Sequence, residues 1–160
     1  MADKNNKQGS PDGVLATNRK AFRDFHVLEK LEAGIELRGT EVKSIRDGHI
    51  RIDEAYAHIE NGQVEVLQLT IQPYSHGNIH NHAANRARRL LLHKKEILRL
   101  QSKTAEKGLT LVPLKAYLKG GKVKIELALC KGKDTVDKRE TLKKKTSDME
   151  ARRAMRNSRR

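Results

Sequence analysis

From about Ala21 onward, apolar residues begin to alternate with polar ones. Phe25, Val27 and Leu31 follow that rhythm, and Ile35 and Leu37 resume it after a bend at Ala33-Gly34. A period of two predicts a strand with one buried face. Residues 1–17, rich in Asn, Lys, Gly, Ser, Pro and Asp, show no such order and are expected to form a disordered leader. Thr40 then suits the N-cap of a short helix with Glu41 in its first turn. Val42 and Ile45 lie on one face of that helix, and Gly48 ends it.

Segments 55–60 and 63–71 flank Asn61-Gly62, a pair that a type I′ turn favours because both central residues need positive φ. Segment 73–85 is polar and carries His76, His80 and His82. Beyond it, 88–92 reads as a brief strand and 93–106 as a helix with Ile97 and Leu100 facing inward, capped by Gly108. Segments 109–119 and 122–130 form a second hairpin around Gly120-Gly121. In its returning strand Val123, Ile125, Leu127 and Leu129 point one way, while Lys122, Lys124 and Glu126 point the other.

Six or seven short strands without a βαβ rhythm predict a mainly β fold. The form expected is a small closed OB-like antiparallel β-barrel over residues 18–130, with two or three helices. Residues 131–160 form a tail in which Leu142, Met149 and Met155 are too isolated to make an apolar stripe. That tail is expected to be disordered when free and helical when bound.

Charge sharpens this picture. The 160 residues carry a formal net charge of +14 and only 3% aromatics, so aliphatic side chains must fill the core and a polyanion is the favoured partner. The tail alone holds 12 basic and 5 acidic residues, which is half of the excess in thirty positions. No apolar run approaches the length of a membrane span, no signal-peptide core follows the N-terminus, and Cys130 is the single cysteine. These features predict a cytoplasmic nucleic-acid binder without a disulfide.

Catalytic alternatives find little support. Three histidines in the 73–85 segment invite a metal-dependent RNA-processing enzyme, but a closed zinc site usually takes four ligands, and no cysteine stands there. Cys130 ends a strand, where a small semi-buried residue is ordinary, and no nucleophile elbow or phosphate loop is present. No catalytic site, metal or cofactor is expected. The one-sided run Arg86, Arg88, Arg89, Lys94, Lys95, Arg99 and Lys103 flanks Leu90-Leu91-Leu92. It reads either as a solvated helix face or as RNA-binding cations beside an apolar patch that packs on an unstacked base.

Five segments in order and spacing carry a resemblance: 32–35 (EAGI), 39–46 (GTEVKSIR), 89–94 (RLLLHK), 107–114 (KGLTLVPL) and 137–140 (DKRE). Together they resemble the SmpB family of SsrA-binding proteins. The resemblance implies a non-enzymatic adaptor whose barrel clasps the tRNA-like domain of tmRNA. Its tail would enter the small-subunit decoding region and empty mRNA channel of a stalled ribosome, and the tmRNA complex would bring in elongation factor EF-Tu. DNA is not an implied partner. The family's RNA-contacting positions fall on Glu32, Leu91 and Lys122. Each has an ordinary alternative: a surface salt bridge for Glu32, the core for Leu91, and a solvated strand face for Lys122. The tail motifs fall on Lys131, Gly132 and Lys133, and on Asp137, Lys138 and Arg139. The sequence departs from the family at Arg23, where a histidine is frequent, and at Phe25, which lacks a tyrosine hydroxyl. At Val136 some relatives place a stacking side chain. The runner-up is a general ribosomal or RNA-chaperone protein that binds folded RNA without preference.

Overall fold

The computed structural model describes residues 13–77 and 82–158. Strand β1 (Val14–Thr17) comes first, followed by helix α1 (Arg19–Asp24), strand β2 (Phe25–Ile35) and helix α2 (Gly39–Arg46). Strands β3 (Ile50–Arg51), β4 (Tyr56–Glu60), β5 (Gln63–Leu67), β6 (Thr70–Ile71) and β7 (Arg88–Leu91) lead to helix α3 (Lys94–Thr104). Strands β8 (Leu109–Lys119) and β9 (Lys122–Gly132) precede the last helix, α4 (Thr135–Asn157).

Six of these strands close on one another. The order β8-β4-β5-β7-β2-β9 returns to β8 through the β8–β9 hairpin, so the fold is mainly β and built on a ring of antiparallel strands. β1 adds to the edge of β8 beside β4, while β3 and β6 form a separate small ladder. Ile35, Ile45, Val64, Val66, Leu90, Leu100, Leu111, Ile125, Leu127 and Leu129 are buried together inside the ring. Alternation along β9 is what places Val123, Ile125, Leu127 and Leu129 there. The end of that strand is buried on its other face too, because Ala128 and Cys130 meet Ala21, Val112 and Leu114 in a second cluster.

The predicted turns hold the hairpins. Asn61 and Gly62 have φ of 50° and 71°, and Gly120 and Gly121 have 57° and 73°. Other boundaries move. The leader expected to be disordered up to residue 17 yields a strand at 14–17, because β8 offers unpaired backbone at Lys115–Tyr117 and Leu15 and Ala16 pack on the core. Residues 1–12 of that leader lie outside the described residues. The strand expected from Ala21 starts at Phe25. Asn18 Oδ1 accepts from the Ala21 amide at 2.9 Å and caps α1, while its Nδ2 donates to the carbonyls of Ile52 and Pro113. Helix α2 begins before Thr40, with Arg38 as N-cap, because the Glu41 carboxylate accepts from the Arg38 amide at 2.8 Å. Segment 63–71 is broken at Gln68, where φ is 55°, into β5 and β6.

The tail differs most from expectation. In place of a disordered segment, Thr135–Asn157 forms α4, a helix of 23 residues with no buried residue. At 1.5 Å per residue it extends about 35 Å. Local chemistry accounts for it. Asp137 lies in the first turn and Arg156 in the last, which complements the helix dipole. Glu140 stands four residues before Lys144, and Asp148 four before Arg152, which places opposite charges one turn apart.

Candidate nucleic-acid interface

A groove of about 530 Å³ opens where β2, β7 and the start of α3 meet, lined among others by Glu32, Gly34, Leu91, His93, Ile97 and Lys124. Backbone pairing creates it. Gly34 stands opposite Leu91 on one side and Lys124 on the other. A Cβ on Gly34 would come within 3.2 Å of the Leu91 Cβ, so the missing side chain is what lets Leu91 sit flat over β2. Leu91 is 50% exposed, and its neighbour Leu90 points into the core. The core alternative for Leu91 is therefore set aside.

Glu32 lies on the outer face of β2, and its carboxylate reaches over β9 to β8. Its Oε2 accepts from the Tyr117 hydroxyl at 2.5 Å and from Lys119 Nζ at 3.0 Å, and Oε1 accepts from Lys119 Nζ at 3.2 Å. The Tyr117 and Lys119 hydrogen bonds hold Glu32 below the usual carboxylate range. Burial together with the Glu32 bond pushes the Tyr117 phenol up to about 12. Lys122 is exposed at the hairpin end, where it pairs with Lys119. Lys119, Lys122 and Lys124 therefore form a cationic edge beside the groove.

Most of the basic run that suggested RNA binding is engaged in ion pairs with the protein's own carboxylates. Arg88, 1% exposed, directs Nε and Nη2 onto Glu41 Oε1 at 3.0 and 2.8 Å, and donates through Nη1 to the carbonyls of Leu69 and Arg86 and through Nη2 to that of Ala84. It cannot serve as an RNA contact, and this corrects the expectation. Arg86 grips the same carboxylate with two bonds of 2.9 and 2.6 Å. Burial pushes Glu41 up, but the Arg86 bonds, the Arg38 amide and Arg88 outweigh it and hold Glu41 below its ordinary range. Arg89 pairs with Glu36 at 2.9 Å, Lys103 with Glu29 at 2.7 Å, and Arg99 also with Glu29. Lys94, at the first turn of α3, is exposed and makes no ion pair among the described residues.

The tail positions separate into two sets. Lys131 and Gly132 still pair with β2 and end β9, two residues beyond the expected boundary. Lys133 donates to the Phe22 carbonyl at 3.2 Å and to Thr141 Oγ1 at 3.0 Å, and Asp137 meets His26 Nε2 at 3.1 Å. These bonds fasten the root of α4 to α1 and β2. Arg139 is exposed and Lys138 half-buried. Of the loop histidines, His76 contacts Ser75 and the Tyr74 ring, His82 is exposed, and His80 lies outside the described residues.

Tyr117, Lys119 and Gly34 escaped sequence reasoning. Alternation on β8 sets Lys115, Tyr117 and Lys119 on one face, which was a usable signal. That this face meets Glu32 across β9 required the three-dimensional pairing.

Comparison with known proteins adds the following. A family described as SmpB protein matches residues 15–157. An SsrA-binding protein of Carboxydothermus hydrogenoformans is 54% identical over 143 residues, covering 89% of this chain and 96% of the relative. One from Caldicellulosiruptor saccharolyticus is 50% identical over 155 residues, covering 97% of each. Among solved structures, a chain from "tmRNA-SmpB: a journey to the center of the bacterial ribosome" superposes with a TM-score of 0.65 at 42% identity. It covers 83% of this chain and 95% of that one.

Proposed function

The chain belongs to the SmpB family, and from that premise we propose that it is a non-enzymatic adaptor for tmRNA. It binds the tRNA-like domain of this RNA and delivers it to stalled ribosomes for trans-translation. We read the ring of strands as an OB-like barrel and place the protein in the cytoplasm; no helix among the described residues is long and apolar enough to cross a membrane.

The observation that supports this reading best is the groove. It gathers Glu32 and Leu91, with Lys122 at the adjoining hairpin end. A carboxylate acceptor, an exposed apolar side chain and a cationic edge match the needs of an RNA with an unstacked base: donors on base or ribose, a base face, and phosphates. Lys94, exposed next to His93, adds a cation near the groove, and Arg89 lines the groove while paired with Glu36. Arg86 acts on the same side by fixing the segment that leads into β7. The tail is the ribosomal element, and Lys131, Gly132, Lys133, Asp137, Lys138 and Arg139 form its root.

A titration of the full chain with tmRNA, in the presence of excess unrelated structured RNA, tests the reading. Binding that survives the competitor supports it. Equal affinity for both RNAs overturns it and favours a general RNA-binding protein.

A further inference from the structure

We propose that Tyr117 is a positioning residue for RNA binding: its hydroxyl, bonded to Glu32 Oε2 at 2.5 Å, fixes which carboxylate oxygen faces the groove. The inference rests on the reading that Glu32 touches tmRNA, and it adds how that contact is prepared.

The geometry is asymmetric. Each carboxylate oxygen accepts about two hydrogen bonds. Among the described residues, Oε2 takes two, from Tyr117 and from Lys119, whereas Oε1 takes only the longer Lys119 bond of 3.2 Å. One acceptor direction on Oε1 remains, and Glu32 lines the groove together with Leu91. A glutamate on an exposed strand face would otherwise sample several rotamers and lose that freedom on binding. Two donors on neighbouring residues of β8 remove it beforehand, and the gain is preorganisation. The arrangement suits one donor, such as an exocyclic amino group or a ribose 2′-hydroxyl, held beside a base face that packs on Leu91.

The same bond sets the charge. Around Glu32 stand Tyr117 and Lys119 from β8 and Lys124 and Glu126 from β9; Arg89, His93 and Glu96 line the far side of the groove. The Tyr117 bond is the foremost influence holding Glu32 ionised. Tyr117 itself stays protonated through the neutral range, because its phenol is pushed up to about 12, so it always donates. A carboxylate held low stays ionised until the pH falls through its lowered value. Removing the Tyr117 donor raises that value, so binding should fail at a higher pH in the variant.

The test uses the full chain with tmRNA and compares wild type, Tyr117→Phe, Glu32→Gln and the double variant between pH 3 and 8. Tyr117→Phe should weaken binding about three- to tenfold at pH 7.5, the range of one net hydrogen bond. It should move the acid midpoint of binding upward and leave the salt slope unchanged, since no cation is lost. In the Glu32→Gln background the Tyr117 change should have no further effect, and the acid midpoint should be insensitive to it. Protonation of the RNA bases and of groups untouched by the substitutions is common to all four proteins and cancels. If Tyr117→Phe weakens the Glu32→Gln protein as much as the wild type, or leaves the acid midpoint unmoved, the proposal is wrong. Should Glu32→Gln bind as wild type, the proposal falls as well, while the preference for tmRNA over unrelated RNA remains a separate measurement of the parent reading. Thermal melts of all four proteins should agree closely, because these side chains lie on the outer face.

Discussion

The strand ring and helix α4 are opposite solutions to the same problem of holding a chain in place. In the ring, side chains such as Val64, Val66, Leu114, Ile125 and Leu127 are wholly removed from water, and each strand is paired on both sides. In α4 no residue is buried, and Leu142, Met149 and Met155 remain in solvent. The ring is held by burial, at about 25 cal/mol per Å² of apolar surface. The helix is held by its own hydrogen-bond ladder and by two polar anchors at its root, from Lys133 and Asp137. Beyond that root the helix is held only by local terms, and such a helix is free to be held by a partner instead. That contrast fits the proposed division between a ring that binds RNA and a tail that acts on the ribosome.

Removing residues 133–160 breaks the comparison most severely. The cut falls after Gly132 because Lys131 and Gly132 still pair with β2. The truncated protein should melt close to the full chain and still prefer tmRNA over unrelated RNA, while peptide tagging on stalled ribosomes should be lost. Tagging at the full rate would show that the two regions do not divide the labour.

Next in size is Arg88→Ala. It leaves Glu41 buried with a weakened set of partners, and breaking a buried ion pair costs about 3–5 kcal/mol, to be read from urea denaturation. The pH dependence follows in sign. Glu41 has a lowered folded value, so its contribution is fully present above the unfolded value of about 4.3 and is lost as pH falls through the folded one. The stability gap between wild type and Glu41→Gln should therefore shrink on acidification below about pH 4.3. A gap constant with pH would mean that Glu41 acts by packing alone.

Within the groove, Leu91→Ala should weaken tmRNA binding by about 1 kcal/mol, roughly the apolar term for a half-exposed leucine, with the salt slope unchanged. Lys122→Ala should lower the log–log salt slope by about one unit. Loss of thermal stability with unchanged affinity would return Leu91 to a purely structural role.

The smallest effect belongs to His26→Ala. Its bond to Asp137 joins two exposed side chains and contributes well under about 1 kcal/mol. Amide exchange should quicken in the first turns of α4 and stay unchanged in β2 and β9. Equal protection in both proteins would mean that Lys133 alone fastens the helix.

Much of this molecule is set by sequence alone. Asn61-Gly62 and Gly120-Gly121 fix two hairpins because few other residues accept positive φ there, and the alternation of β9 selects its core face without reference to any other strand. Patterns of that kind are local, and local physics suffices to read them. Tertiary structure decided which charges are available. The cations at 86–103 are adjacent in sequence, but their carboxylates, Glu29, Glu36 and Glu41, arrive from 45 or more residues away. Only closure of the ring brings Arg88 onto Glu41 and leaves Lys122 and Lys124 beside the groove. Closure likewise carries Tyr117 to Glu32, a bond spanning 85 residues, because β9 lies between their strands and both side chains are long enough to meet across it.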